Sequence, residues 1–584
     1  AWALAEKAQM LADAGQFIEA RKLLDDALKL DTDPLSQGQA NFGLGYCAYK
    51  LGQVDDAERY LRVSRDLLRV QHAQDADAAY WLGKIHQERN EPELANSFYQ
   101  AVIVSHPDSR IAPLARLGRG VCRVQLGEDD AGLTDLQEIV DYIVAKPSRD
   151  KLKDEALAGL RTASASLMSR SNYQGALELM SHEQSLQPAP TASFFARLGE
   201  VYEKRAGQVE TTVPDVADAE QVRRVQLVRS MRTKAGDAYI AYSRALTLAD
   251  DKGYGDALWK GIDLYDRASN LHCTISALEL FVAERPDDAL TPDAQLRLGQ
   301  SFQAAGMFDK AIEAFQRNQF RYPNTLASSK SAVPLAQAYI AKGPEGYAKA
   351  ETVLLSVVDD NPLLTPDAAE FKQALFELAQ LFYRTARYED AISRLEELTE
   401  RYPQAPNLGQ LAFLMADSYR KSATLLDAQL AAANDKAGAD QAAQQMAAKR
   451  ERLDKARALY DKVVELYRVN PPGKKAELDQ LYQKLSHFYR ADCVYDLGNY
   501  EEAIKLYDQA AFRYQEDASS LAAYVQIVNS YCALGKINDA KTANERAKWL
   551  LRRMPPEAFD NDGFTMPKAY WEQWMKWTSE AGMW

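Results

Sequence analysis

The sequence predicts an all-α chain: a right-handed α-solenoid of stacked helical hairpins, finished by a C-terminal capping helix. Three observations carry this reading. First, a small residue recurs with an alanine 12 positions later, as Ala8/Ala20, Gly45/Ala57, Gly83/Ala95, Gly299/Ala311, Ala379/Ala391 and Ala491/Ala503. Second, a bulky residue stands four positions after each of those alanines: Leu24, Leu61, Tyr99, Phe315, Leu395 and Tyr507. Third, the breaks repeat. A turn recurs between the two small residues (Gly15-Gln-Phe17, Gly52-Gln-Val54, Gly306-Met-Phe308, Gly498-Asn-Tyr500, Gly535-Lys-Ile537), and Pro107, Pro323, Pro362 and Pro403 follow four units.

Each part has a physical reason. Two helices, A and B, cross closely only where side chains are small, so Gly or Ala marks the crossing. A spacing of four keeps the alanine and the bulky residue on one face of helix B. Glycine ends helix A because it takes positive φ at little cost. Proline after helix B prevents its continuation. One hairpin cannot bury its apolar face alone, so neighbours must stack. About 13 hairpins are expected, starting near residues 1, 36, 75, 111, 150, 190, 254, 291, 328, 368, 408, 476 and 519. Those near 111, 150, 190 and 254 are degenerate. The chain is expected to divide into an N-terminal array (1–189), degenerate units with a long-helix insertion (190–290), a central array (291–407), an extended hairpin (408–475), C-terminal units (476–554) and a Trp-rich cap or tail (555–584).

Strings such as Gly306-Met-Phe-Asp-Lys-Ala-Ile-Glu-Ala-Phe315 and Gly498-Asn-Tyr-Glu-Glu-Ala-Ile-Lys-Leu-Tyr507 resemble the tetratricopeptide repeat family. The helix B endings Phe320-Arg-Tyr-Pro-Asn-Thr325, Glu400-Arg-Tyr-Pro-Gln-Ala405 and Phe512-Arg-Tyr-Gln515 are similar to those of bacterial envelope members. These are the BamD-like assembly lipoproteins and the YbgF/CpoB partners of the Tol system, all much shorter than this chain. The lipid-bearing cysteine of the lipoproteins has no counterpart near Ala1. Chaperone-binding members hold a terminal carboxylate with Lys and Asn on helix A; the matching positions here are Ala5, Gln9 and Gly43, so that clamp is absent.

The period breaks in three places. A loop from Val209 to Asp215 leads into a helix reaching about Leu248, which carries Arg223, Arg224, Arg229, Arg232 and Lys234. It is either a solvated face or a dock for an acidic partner. Between Ser422 and Glu451 lie strong helix formers, broken by Asn434-Asp-Lys-Ala-Gly438. A helix from about Ala439 to Arg468 would be roughly 45 Å long and should project as a spacer or a contact arm. Finally, Trp549, Trp571, Trp574, Trp577 and Trp584 make five of the eight tryptophans. The final helix, near Pro567 to Glu580, is either a cap on the open apolar end or a partner or membrane-interface contact.

Composition narrows the function. The 584 residues carry 70 Lys plus Arg against 83 Asp plus Glu, a net charge of −13, which argues against a nucleic-acid binder. No run of about 18 apolar residues occurs, so no transmembrane segment is expected. No signal peptide is visible, and a start at Ala1 without Met suggests a processed or trimmed N-terminus. The cysteines Cys47, Cys122, Cys273, Cys493 and Cys532 are too dispersed for zinc or redox pairs. Cys47, Cys122 and Cys493 follow the repeat and read as packing residues. No phosphate loop, His-Glu-x-x-His or nucleophile elbow is present. No catalytic, cofactor-binding or metal residue is therefore expected, and no cofactor. Tyr46, Tyr80, Tyr202, Tyr339, Tyr383, Tyr419 and Tyr531 fall on helix A faces as core or groove residues.

The expected function is a non-enzymatic scaffold that binds other proteins through its groove and protruding hairpin. The envelope resemblance implies a periplasmic or envelope-associated place in a Tol- or Bam-like machine or an ion-driven motor assembly, including a membrane-protein complex. The alternative is a cytoplasmic regulatory adaptor or peptide-binding sensor. The partner-binding candidates are Arg223, Arg224, Arg229, Arg232, Trp571, Trp574 and Trp577.

Overall fold

The computed structural model describes residues 2–30, 32–68, 73–145, 150–211, 218–246, 250–359, 361–432, 439–473, 476–559 and 566–580. Among them every regular element is helical, and the helices pair as 13 successive hairpins, each with a helix A and a helix B. Hairpins 1 to 4 are Trp2–Asp13 with Phe17–Leu30, Pro34–Lys50 with Val54–Leu68, Ala73–Glu88 with Pro92–Ser105, and Ala112–Leu126 with Asp129–Val144. Hairpins 5 to 7 are Asp150–Ser169 with Tyr173–Leu186, Ala192–Thr211 with Asp218–Leu246, and Asp251–Arg267 with Leu271–Glu284. Hairpin 8 is Thr291–Ala304 with Phe308–Arg321. Helix A of hairpin 9 comes in two pieces, Leu326–Lys330 and Ala332–Ala341, before Tyr347–Val358. Hairpins 10 to 13 are Ala369–Arg384 with Tyr388–Arg401, Leu408–Ala432 with Ala439–Val469, Glu477–Asp496 with Tyr500–Arg513, and Ser519–Ala533 with Ile537–Arg553. A last helix, Lys568–Glu580, follows.

Two compact units contain these hairpins, Ala1–Thr291 and Pro292–Trp584. Within each, a helix packs on the next in sequence, and from hairpin 1 to 5, from 9 to 10 and from 11 to 12 helix A also packs on helix A of the next hairpin. Burial is therefore sequential: one cluster joins Leu117, Leu136, Leu160 and Leu179 of hairpins 4 and 5, another Leu395, Leu411 and Tyr460 of hairpins 10 and 11. This nearest-neighbour packing is the α-solenoid arrangement.

The crossings explain the repeat. A Cβ added at Gly45 would stand 2.7 Å from Leu61, and at Gly83 2.7 Å from Tyr99; at Gly299 it would run into the Phe315 ring. Tyr99 is wedged from both sides, because Gly118 of the next hairpin also lies against it. The turn that closes helix A needs positive φ at one residue. Gly15, Gly52, Gly306, Gly498 and Gly535 supply it, while Asn90, Ser171, Ser269 and Ala386 take the same conformation in hairpins 3, 5, 7 and 10.

The irregular hairpins differ from expectation in detail. Helix A of hairpin 6 continues through Val209 to Thr211 instead of opening into a loop at Val209, since nothing in Val209-Glu-Thr211 breaks a helix. Residues 212–217 lie outside the described residues. Helix B ends at Leu246. In hairpin 11, helix B has 31 residues, about 46 Å at 1.5 Å per residue. Among the described side chains, those buried on helix B begin at Leu453 and those on helix A end at Ala423. The Asn434–Gly438 turn lies outside the described residues.

Candidate partner-binding site

A concavity in the second unit is built on helix A of hairpin 12. Ala491, Cys493 and Val494 face the core of that helix and are fully buried. The intervening i, i+4 stripe, Lys484, Phe488 and Asp492, faces the neighbouring helix A instead. There hairpin 13 presents small residues, Ala518, Ser519, Ala522 and Ala523, which leave a gap. Tyr507 of helix B forms the floor, and Trp571 and Trp574 of the last helix form a wall. The gap has a volume of about 440 Å³, within the range of sites that take a side chain or small ligand.

One charge dominates this space. The Tyr507 hydroxyl donates to Oδ1 of Asp492 at 2.5 Å. Burial pushes the Asp492 carboxyl up to about 6, although the Tyr507 hydrogen bond pulls the other way. Asp492 makes no ion pair among the described residues. Lys484, the cation on the same wall, is engaged elsewhere: its Nζ donates to Asp517 at 2.7 Å. Beneath lies a network in which Asp417 accepts from the Arg420 guanidinium at 2.6 Å, from the Tyr383 hydroxyl at 2.5 Å and from the Tyr460 hydroxyl at 3.0 Å. Asp417 is held below the usual carboxylate range against the effect of its own burial, by Arg420, the Tyr383 hydroxyl and Lys421.

The candidate residues are dispersed. Trp571 is 7% exposed and packs with Leu521, Leu550, Leu551 and Met554, so it caps hairpin 13. Trp574 is half-buried, stacks edge-on to Trp571 and reaches the cavity. The Trp577 side chain and Trp584 lie outside the described residues. The arginines belong to the first unit. Arg223 and Arg229 are exposed, beside exposed Val222, Val225 and Leu227. Arg224 binds Glu220 at 2.8 Å and Arg232 binds Glu210 at 2.6 Å, so these two already hold carboxylates of their own unit.

The helix A tyrosines are core edges with polar tips. Tyr339 accepts from Gln316 at 2.8 Å, and Tyr419 donates to Glu396 at 2.7 Å. In the first unit Tyr46, Tyr49 and Trp81 surround Lys50, whose ammonium lies 5.1 Å from the Trp81 ring. A smaller cavity of about 150 Å³ lies between Tyr80, Tyr99 and Glu155. Asp492 had no distinguishing mark in the sequence; a stripe mixing Lys484, Phe488 and Asp492 was the available signal. No helix among the described residues is long and apolar enough to cross a membrane. No group of three or more metal-ligating side chains was found among them. All five cysteines are free, with Cys47, Cys122 and Cys493 buried in the packing.

Known repeats agree with this architecture. Tetratricopeptide repeat models match residues 6–67 and 478–519, and, in a second variant, 77–109, 293–325 and 373–405. The chain carries tetratricopeptide repeats in these stretches. No curated protein matches it in sequence. Among solved structures it is similar to YrrB, described as a repeat protein of this kind with an unusual peptide-binding site, at 19% identity and TM-score 0.26, over 32% of this chain and 86% of that one. A tetratricopeptide repeat protein of Parabacteroides merdae matches at 13% identity and TM-score 0.30, over 51% and 93%. The C-terminal part of a repeat protein of Cytophaga hutchinsonii matches at 12% identity and TM-score 0.32, over 50% and 98%.

Proposed function

We propose that the chain is a non-enzymatic scaffold that binds a segment of a partner protein in the groove between hairpins 12 and 13. The observation that carries this is the 440 Å³ gap, in which alanines face a carboxylate and aromatic rings. The long hairpin 11 and the exposed Arg223 and Arg229 are further contact surfaces in this reading. The helix B endings at Phe320–Thr325, Glu400–Ala405 and Phe512–Gln515 support a place in a bacterial envelope complex, of the Tol or Bam kind or around an ion-driven motor. The free cysteines favour the second reading, a cytoplasmic adaptor or peptide sensor. Affinity purification of the full chain from its native cells tests the scaffold reading, with an Ala522→Trp variant that fills the groove. A reproducible partner lost with Ala522→Trp is the expected result. No reproducible partner, or the same partners with both chains, would refute it. Fractionation of the same cells separates the two compartments.

A further inference from the structure

We propose that this groove takes a lysine or arginine side chain of the partner, its cationic head on the Asp492 carboxylate and its stem between Phe488 and Trp574. The proposal rests on the groove reading above and specifies its ligand.

The argument is one of charge and shape. A carboxylate in a cavity walled by aromatic rings loses hydration and needs a cation to compensate it. Among the described residues no cation is paired with Asp492; Arg420 favours its charge only through space. Lys484 is bound to Asp517 at 2.7 Å, and Arg420 and Lys421 both lie on Asp417, at 2.6 and 3.4 Å. Tyr507 gives Asp492 one hydrogen bond, and a carboxylate accepts several. An anionic side chain would be repelled there. A neutral apolar one would strip water from Asp492 and offer nothing in return. A cation with an apolar stem fits both parts of the lining, because the ring faces attract it as well. The same chain uses this chemistry on itself where Tyr46, Tyr49 and Trp81 surround Lys50.

Acidity follows from the same geometry. The charged and titratable groups facing Asp492 are Asp496 and Lys484 on its own helix, Tyr507 on helix B, Asp517 in the connection to hairpin 13, and Asp417 and Arg420 on hairpin 11. Asp417 and Asp517 are held below the usual range by their cations, against the pull of burial. His487, on the same helix, is held at about 4 by burial. Asp492 itself, at about 6, gains its proton between pH 7.5 and pH 5.

The test selects dodecapeptides from a random display library on the full chain. Fluorescence anisotropy then measures one labelled selected peptide, its citrulline (or norleucine) counterpart, and the Asp492→Asn variant. The expected result is a shared Arg or Lys beside apolar residues. Removing that cation and replacing Asp492 should each weaken binding at least tenfold, with no further loss when both are combined. For the wild-type chain, affinity for the cationic peptide should fall about tenfold from pH 7.5 to pH 5, with no change for the neutral counterpart. This arm needs no variant. Peptides that bind in the groove, blocked by Ala522→Trp, yet ignore the cation and Asp492, would overturn the proposal and leave the scaffold reading standing. Failure to select any peptide blocked by Ala522→Trp would overturn both.

Discussion

Asp492→Asn should make the protein more stable at neutral pH and leave it unchanged in acid. The carboxyl is pushed from 3.8 to about 6 by burial. Between these values the folded chain holds a proton that the unfolded chain releases. Stability therefore falls as pH rises from about 4 to about 6, and the penalty is complete above that. A shift of about two units corresponds to roughly 3 kcal/mol at 1.36 kcal/mol per unit. Asp492 keeps some access to water in the cavity, so about 1–3 kcal/mol is expected. Asparagine keeps an oxygen for Tyr507 and carries no charge. Urea unfolding followed by tryptophan fluorescence suits the assay, because five of the eight tryptophans lie after residue 548. The variant should exceed wild type at pH 7.5, with the gap closing near pH 4. A variant equal to or weaker than wild type at pH 7.5, or a gap independent of pH, would refute the reasoning.

Other perturbations test the fold. Gly299→Val drives a branched side chain into the fully buried Phe315 ring and should cost about 2–3 kcal/mol, read as lost amide-exchange protection in hairpin 8. Ala386→Gly relieves a positive φ of 59° at the turn of hairpin 10 and should add about 1 kcal/mol, read as a raised urea midpoint. Native chain at pH 8 should react with a thiol reagent at Cys273 and Cys532 first. Cys47 and Cys122, pushed by burial to about 11 and about 12, and buried Cys493 should respond only after urea is added. Trp571→Ala should cost about 3–5 kcal/mol at the C-terminal end and raise proteolysis beyond Met554.

The solenoid was legible because its crossings have a fixed spacing: Gly45 meets Leu61, Gly83 meets Tyr99 and Gly299 meets Phe315, each 16 residues apart. Hairpin 6 keeps the crossing, with Gly199 against Tyr239, and hairpin 11 places Gly409 against Tyr467. Their long helices stretch the spacing, so the rule that finds the others passes over them. The groove was not legible for a different reason. Lys484, Tyr507, Ala522 and Trp574 come from four helices, and no sequence pattern ties them together. A carboxylate such as Asp492 reads as a solvated helix residue until its neighbours are known. The terminal tryptophans combine both surroundings: Trp571 packs on hairpin 13 and, with Trp574, lines the cavity. Of the arginines, Arg224 and Arg232 are held by Glu220 and Glu210, which lie on the same helix and on its hairpin partner.

The central claim is that partners meet the helix A groove between hairpins 12 and 13. A photo-crosslinking amino acid at Gln526, on the groove wall, tests it in the native cell, with Lys541 on helix B of hairpin 13 as control. The account predicts one reproducible partner adduct from position 526, abolished by Ala522→Trp, and none from position 541. Equal adducts from both positions, or none from 526, would contradict it.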